Sequence, residues 1–252
     1  MNSDVLWSDP PDHLVLQADE VHVWRVVLDR LSQNIPALWH TLQEDEHIRA
    51  ERFAFPTDRN HFIAARGMLR AILSRYTAIA PEKLRFRYSS YGKPFLDCEV
   101  DAAPICFNLS HSYGVALYAM TQGRKVGVDI EHVRYNIDIM TLASAYFSAH
   151  EFRSLRELPV DLRHEAFFTC WTRKEAYIKA RGEGLSYPLD QFDVSLQPGD
   201  PVAILQNYSD PSETLRWVLY HLAPGFGYIG AVAVEGQECC VQQWQASEVQ
   251  GH

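Results

Sequence analysis

Apolar and polar residues follow two different periods along the first half of the chain, and the change of period separates its predicted elements. A run of β-branched residues near the start is typical of a strand. Apolar residues then recur at intervals of three and four on both sides of Pro56, which predicts two helices. The predicted elements are a strand over 21–28, helices over roughly 38–54 and 57–78, and strands over 84–88, 105–109 and 115–120, with Tyr91 to Pro94 as a turn.

The second half repeats this order of elements. The pattern predicts a strand over 126–131, helices over roughly 139–146, 150–157 and 161–181, and strands over 192–196, 202–206, 215–222 and 228–234. The closing strands are also alike, because Tyr113-Gly114 and Gly227-Tyr228 both precede small and apolar residues. We therefore expect an α+β fold of two similar halves, 1–122 and 123–252. Each half would be a small antiparallel sheet packed with helices, with the ligand site in the crevice between them.

Composition excludes several classes of protein. Of the 252 residues, 47% are apolar and 22% are charged, which suits a chain with a proper core. The net charge of -9 argues against general binding to nucleic acid or anionic membranes. The first 20 residues hold no Lys or Arg, and the five cysteines show no CxxC spacing, so neither a secretory signal nor a disulfide framework is indicated. We expect a soluble, cytoplasmic protein.

One segment of this acidic chain is strongly basic. Residues 49–87 contain nine Lys or Arg side chains and three Asp or Glu side chains, a net charge of +6. Its basic members are Arg49, Arg52, Arg59, Arg66, Arg70, Arg75, Lys83, Arg85 and Arg87. Such a cluster could bind an anionic ligand, although solvated arginines along an amphipathic helix would give the same pattern.

The predicted strand over 126–131 carries two carboxylates on one face. Because strand side chains alternate, Asp129 and Glu131 point one way while Val128 and Ile130 point the other. The two carboxylates would lie about 6 to 7 Å apart and could share a hard cation. An exposed strand end with acidic residues facing water is the simpler alternative.

A second charged pair lies on the predicted helix over 161–181. Helical spacing places Glu175 and Lys179 on the same stripe as Trp171. A third carboxylate beside the acidic strand would complete a magnesium site, and a nearby lysine could neutralise a phosphate oxygen. An ordinary helical ion pair with no catalytic role would have the same spacing.

Polar donors end the predicted strand over 105–109. Ser110 and His111 could offer a hydroxyl and an imidazole to a phosphate. No Gly-x-Ser-x-Gly sequence surrounds the serine, which argues against a serine hydrolase. A turn histidine without a role is the alternative.

The combination and order of these motifs are more specific than each alone. Asn-Leu-Ser-His-Ser at 108–112, Gly-Val-Asp-Ile-Glu at 127–131 and Trp-Thr-Arg-Lys-Glu-Ala-Tyr-Ile-Lys at 171–179 closely resemble the 4′-phosphopantetheinyl transferases. The resemblance includes Tyr-Gly-Lys-Pro at 91–94 and runs from about Arg49 through Ser186. The two-halved length is similar to the monomeric Sfp type rather than to the half-length type that forms trimers.

The resemblance implies a reaction and a set of site residues. Members of this family move the phosphopantetheine arm of coenzyme A onto a serine of an apo carrier protein and release 3′,5′-ADP. By resemblance, Mg²⁺ would be bound by Asp129, Glu131 and Glu175. Glu175 would help to deprotonate the attacking serine, directly or through a water, and Lys179 would steady or protonate the departing phosphate.

The resemblance also implies contacts to coenzyme A and to the carrier. The residues that match phosphate-binding positions are Ser110, His111, Arg49, Arg59 and Arg66, and Lys93-Pro94 matches the turn beside the adenine. Glu46 departs from the pattern, because some members carry a basic residue there. The segment from Tyr135 to Phe147 is the expected carrier-docking region.

Two other functions fit parts of the sequence. A catalytically silent module could bind carrier proteins or nucleotides, but it would not need three carboxylates suited to a metal. A magnesium phosphohydrolase would form product without any carrier protein. The motifs do not select among carriers of fatty acid, polyketide or nonribosomal peptide synthesis.

Overall fold

The chain forms eleven strands and seven α-helices within residues 7–97, 104–236 and 239–246, which the computed structural model describes. The strands are β1 (Glu20–Val27), β2 (Phe86–Tyr88), β3 (Pro94–Leu96), β4 (Ile105–Ser112), β5 (Val115–Gln122), β6 (Val126–His132), β7 (Phe192–Val194), β8 (Ile204–Asn207), β9 (Trp217–Leu222), β10 (Tyr228–Glu235) and β11 (Cys240–Ala246). The helices are α1 (Ile35–Thr41), α2 (Glu44–Glu51), α3 (Pro56–Thr77), α4 (Ile139–Tyr146), α5 (Ala149–Glu157), α6 (Val160–Arg181) and α7 (Glu213–Arg216). None of the helices in these ranges is long and apolar enough to cross a membrane.

The N-terminal half is a four-stranded sheet covered by α3. Its strand order is β11-β1-β5-β4, and apolar side chains of α3, among them Met68 and Leu69, pack against Trp24 and Tyr118 of the sheet. The Tyr118 hydroxyl also donates to the Ala65 carbonyl over 3.0 Å, which ties β5 to the helix. The basic segment therefore lies on a helix whose other face is core.

The C-terminal half places α6 across a three-stranded sheet of order β6-β10-β9. Gly127 permits the close contact between α6 and β6, because a Cβ at this position would lie 2.1 Å from the Ala176 carbonyl oxygen and 2.3 Å from the Ala180 amide nitrogen. Only glycine fits such an approach without moving the helix.

A third hydrophobic cluster joins the two sheets. Its members come from β1 and β5 on one side and from β6, β9 and β10 on the other. They include Val23 and Leu117 of the first sheet and Val128, Ile130 and Val232 of the second, all almost completely buried. The junction between the halves is therefore a packed core rather than a linker.

The predicted α+β class and most of the predicted elements are confirmed. The single helix predicted over 38–54 is wrong: it divides at Leu42, and α2 begins with a capping box in which the Gln43 amide donates to the Glu46 carboxylate over 2.9 Å. The expectation of two purely antiparallel sheets is wrong for the N-terminal half, because β11 pairs in parallel with β1. The chain thus returns to its first sheet after completing the second.

Candidate active site at the junction of the halves

Side chains of β4 and β6 meet where the two sheets adjoin. Ser110 Oγ donates to Asp129 Oδ1 over 2.8 Å, and Ser112 Oγ donates to Glu131 Oε2 over 3.1 Å. The Val128 amide donates to Asn108 Oδ1 over 2.9 Å. The strands belong to different sheets, so these polar side chains link the halves.

Helix α6 brings a lysine to the same carboxylate. Lys179 Nζ lies 2.6 Å from Asp129 Oδ1 and 3.0 Å from Ser110 Oγ. Glu175 lies one helical turn earlier, also half-buried. The ion pair of Lys179 is made with Asp129 of β6, so the helical Glu-Lys spacing alone would have suggested the wrong partner.

The charge of Asp129 disfavours the charged form of two glutamates of this region, Glu131 and Glu175. Burial raises the pKa of Glu175 to about 7, and the nearby charge of Asp129 adds to the rise while Lys179 opposes it. Burial and the charge of Asp129 also raise the pKa of Glu131 above its ordinary value. The site is therefore short of positive charge.

The donor chemistry fits a hard cation such as Mg²⁺, which prefers carboxylate oxygens. Asp129 Oδ2 is buried and has no hydrogen-bond partner, a costly arrangement that a cation would relieve. Across residues 7–97, 104–236 and 239–246, however, no three His, Cys, Asp or Glu side chains converge as a preassembled metal centre. The magnesium ligands remain a prediction.

The structure separates Ser110 from His111, which the sequence suggested as neighbouring phosphate donors. Adjacent strand residues face opposite sides, so Ser110 joins the carboxylate network while His111 is exposed on the other face of β4. The His111 ring keeps contact with solvent, yet partial loss of hydration lowers its pKa. The positive side chains of Lys179, His61 and Arg49 lower this pKa further.

His61 is a candidate site residue that the sequence reasoning missed. Its Nε2 lies 2.7 Å from Asp29 Oδ1, so a carboxylate orients the ring. Its charge also acts on His111. The signal was its position in the basic segment, two residues after Arg59, but a histidine in a helix has no distinctive spacing.

The predicted arginines have three different surroundings. Arg49 lies over the Phe62 ring, 5.4 Å from its centroid, and lines an open cleft of about 670 Å³. Arg66 lines the same cleft, but its Nε donates to Glu46 Oε1 over 2.7 Å. Arg59 lies over Trp39 and is not among the residues lining this cleft.

Two models of known families match the chain in succession. The model described as 4′-phosphopantetheinyl transferase, N-terminal, matches residues 24–122, and the model described as 4′-phosphopantetheinyl transferase superfamily matches residues 125–233. The 4′-phosphopantetheinyl transferase HetI of Nostoc sp. is 39% identical over 230 residues, which cover 91% of this chain and 94% of HetI. This chain belongs to the 4′-phosphopantetheinyl transferase superfamily.

Relatives from Bacillus match a large part of the transferase as well. The 4′-phosphopantetheinyl transferase Sfp of Bacillus subtilis is 28% identical over 186 residues, covering 73% of this chain and 79% of Sfp. The 4′-phosphopantetheinyl transferase psf-1 of Bacillus pumilus is 32% identical over 168 residues, covering 66% and 70% of the two chains. The expected Sfp-like, two-halved type is confirmed.

Glu46 has a structural role in this transferase. Its buried carboxylate accepts from Arg66 and from Arg70, whose Nε lies 2.8 Å from Glu46 Oε2. Glu46 also completes the capping box of α2. Two arginines of the basic segment are thus paired inside the protein, so the net charge of that segment overstates what is free to bind an anion.

The Trp-Thr-Arg-Lys-Glu-Ala-Tyr-Ile-Lys motif divides between two faces of α6. Lys174 is completely buried and pairs with Glu151 over 2.8 Å, and Arg173 donates to the Ser195 carbonyl over 2.5 Å. These two residues stabilise the C-terminal core, whereas Glu175 and Lys179 lie on the face toward the junction.

The predicted docking segment contains both surface and core residues. Tyr135 and Tyr146 are 73% and 48% exposed. Phe147, in contrast, is buried and stacks on Phe167 at 5.1 Å. The expectation that Phe147 belongs to a docking surface is therefore wrong.

The Lys93 ammonium contacts protein backbone. It donates to the Val126 carbonyl over 2.9 Å and to the Lys179 carbonyl over 2.6 Å. Burial lowers its pKa to about 8. Pro94, predicted with Lys93 to lie beside the adenine, begins β3 and is half-buried.

Proposed function

We propose that this transferase moves the 4′-phosphopantetheine arm of coenzyme A onto a serine of an apo carrier protein in a Mg²⁺-dependent reaction that releases 3′,5′-ADP. One observation carries the proposal: at the junction of the halves Lys179 pairs with Asp129 over 2.6 Å, and the charge of Asp129 raises the pKa of both Glu131 and Glu175. A site with this excess of negative charge suits a cation that neutralises a pyrophosphate.

Asp129, Glu131 and Glu175 would hold the metal ion. Asp129 Oδ2 is buried and has no hydrogen-bond partner, which supports this assignment. The raised pKa of Glu131 and of Glu175 supports it as well. When bound, Mg²⁺ would supply positive charge to the pyrophosphate of coenzyme A.

Glu175 is suited to accept the proton of the carrier serine. Its pKa, raised by burial to about 7, lies close to the pH at which a general base works well. As the serine oxygen forms a bond to the phosphorus of the phosphopantetheine, the bond from that phosphorus to the bridging oxygen of 3′,5′-ADP breaks. Lys179 stabilises or protonates the departing phosphate.

Coenzyme A would place its phosphates along a line of cations from Arg49 to Lys179. His111 would join these phosphate contacts; burial lowers the pKa of its ring, and the charges of Lys179, His61 and Arg49 lower it further. Arg59, Arg66 and Ser110 remain predicted phosphate contacts, with Arg66 and Ser110 also held by protein carboxylates. The turn that contains Lys93 and Pro94 remains the predicted neighbour of the adenine, while the Lys93 ammonium donates to backbone carbonyls of the protein.

The partner would be an acidic apo carrier protein, and the enzyme would act as a monomer in the cytoplasm. Cys106, Cys170, Cys239 and Cys240 are free thiols, which suits a reducing compartment. Cys98 lies outside the described residues.

The test is incubation of the chain with coenzyme A, Mg²⁺ and apo carriers of fatty acid, polyketide and nonribosomal peptide synthesis, followed by intact mass measurement. We expect a phosphopantetheine mass on at least one carrier, and its loss in Asp129→Asn or after chelation of the metal. Asp129→Asn keeps an oxygen for Ser110, so circular dichroism should not change. Product formed from coenzyme A in the absence of a carrier would indicate a phosphohydrolase. Binding of a carrier or a nucleotide without any product would indicate a catalytically silent module.

A further inference from the structure

The side chain of Lys93 crosses from the N-terminal half to the C-terminal half. Its ammonium lies 2.9 Å from the Val126 carbonyl oxygen, 2.6 Å from that of Lys179 and 3.5 Å from that of Ala180. A lysine ammonium has three protons and no acceptor, so these three carbonyls match its donor capacity.

Two of these carbonyls belong to the last turn of α6. Carbonyls at a helix C-terminus lack partners within the helix and carry partial negative charge. The Gly182 amide closes α6 on the Ile178 carbonyl over 3.0 Å, one residue before Lys179. The Lys93 ammonium meets the next two carbonyls of the turn.

The backbone of Lys93 is held in place by the turn between β2 and β3. Ser89 Oγ accepts from the amides of Tyr91 and Lys93 over 3.3 and 3.1 Å, and the Ser89 amide donates to the Lys93 carbonyl over 2.9 Å. Lys93 therefore reaches α6 from a hydrogen-bonded turn rather than from a loose loop.

The contacts of Lys93 join the two elements that carry the site. Val126 begins β6 three residues before Asp129, and the Lys179 carbonyl belongs to the residue whose ammonium pairs with Asp129. We propose that Lys93 is a positioning residue, which holds the end of α6 against the start of β6 and so sets Lys179 opposite Asp129. The roles of Lys179 and Asp129 in transfer rest on the proposed function; the contacts themselves do not.

The experiment compares Lys93→Met with Lys125→Met, which removes an exposed lysine next to the start of β6. Hydrogen exchange read by mass spectrometry should become about 10- to 100-fold faster at the amides of the last turn of α6 in Lys93→Met only, as the loss of charged hydrogen bonds predicts. We also expect kcat to fall by about tenfold while the KM for coenzyme A stays within about twofold. Lys93→Arg, which keeps the charge and the donors, should recover part of kcat.

Unchanged exchange in Lys93→Met would overturn the proposal, and a raised KM at unchanged kcat would assign Lys93 to coenzyme A instead. If the variant does not fold, the ¹⁵N signal of the Lys93 ammonium in the wild type decides. It should be protected in the free protein and should not shift when coenzyme A is added, whereas a large shift would contradict the proposal. Hydrogen exchange is measured without turnover. If the chain modified no carrier, that result would contradict the proposed function but would leave the positioning role of Lys93 to be decided by exchange.

Discussion

At the scale of single residues, the junction holds charges that the folded chain itself disfavours. Burial raises the pKa of Glu175 and Glu131, and the charge of Asp129 raises both further. Lys179 forms its ion pair with Asp129. The folded chain holds these carboxylates together although their charges are disfavoured. Such an arrangement is expected of a site that binds a cation together with a pyrophosphate.

The titration of Glu175 predicts how stability depends on pH without metal. Folding raises its pKa from 4.5 to about 7, so the folded chain holds this proton more tightly than the unfolded chain. Stability from this group is therefore full below about pH 4.5 and is lost as the pH rises through about 7. Urea unfolding in chelator should show that wild type loses on the order of 2 kcal/mol more than Glu175→Gln between pH 5 and pH 8. Equal losses in both chains would contradict the assignment.

The exposed imidazole of His111 predicts a specific effect on coenzyme A. A charge-assisted hydrogen bond from His111 to the 3′-phosphate of coenzyme A would contribute about 1.5 to 3 kcal/mol to binding. His111→Ala should therefore lower the affinity for coenzyme A by about 10- to 100-fold. Dephospho-coenzyme A lacks this phosphate, and its affinity should change much less. Titration calorimetry of both ligands with both chains completes the cycle. Equal losses on the two ligands would place His111 at the pyrophosphate.

At the scale of elements, the site depends on how closely α6 packs on β6. Both elements contribute charged residues, and the contact between them passes through Gly127 with no room for a side chain. The glycine at the start of the acidic motif is thus as necessary to the geometry as the carboxylates that follow it.

Gly127→Ala should therefore destabilise the fold and reduce transfer. The new Cβ would meet backbone atoms of Ala176 and Ala180, which directly follow Glu175 and Lys179 in the helix. We expect a loss of at least about 1 to 3 kcal/mol in urea unfolding, typical of overpacking, with a fall in kcat. In Gly199→Ala the new Cβ meets nothing within 4 Å, so only its positive φ should cost stability, about 1 kcal/mol. A Gly127→Ala chain no less stable than this control would disprove the close-packing argument.

We expect the carrier protein to dock on the segment between β6 and α4 and on α4 itself. Tyr146 is half-exposed and its ring meets Trp171 edge-on at 5.7 Å, on the helix that carries Glu175. Tyr146→Glu should raise the KM for an acidic carrier about tenfold without changing the KM for coenzyme A, because it adds like charge at the surface. Leu215→Glu, at an exposed position on α7, is the matched control. An unchanged carrier KM would remove this surface.

At the scale of the whole molecule, the chain supplies the interface between its halves internally. The cluster joining the two sheets consists of almost fully buried apolar residues, and β11 adds a further link by pairing with β1. The site lies along this interface, so its geometry depends on the two halves being held together.

We therefore expect a monomer in solution. An interface already satisfied within one chain leaves no equivalent surface for association of the kind the half-length relatives use. Sedimentation velocity at micromolar concentration should give a single species near the 28.9 kDa mass of the chain. A stable trimer would be incompatible with this view.

The sequence by itself determined what depends on local periodicity. Alternation along a strand placed Asp129 and Glu131 on one face, and the helical turn placed Glu175 next to Lys179. The same two periods predicted most of the strands and helices, including α4 with both of its ends. These features follow from residues within one or two turns of each other, which the chain order specifies directly.

Only the tertiary structure decided which distant residues become partners. Lys179 pairs with Asp129, Arg66 with Glu46, Lys93 with three carbonyls of the other half, and β11 with β1. Periodicity gives the face on which a side chain lies but not what faces it, and long flexible side chains such as Lys and Arg can reach several alternatives. Packing selects among these alternatives. A charge that becomes buried must be paired, and the packed structure decides which partner is within reach.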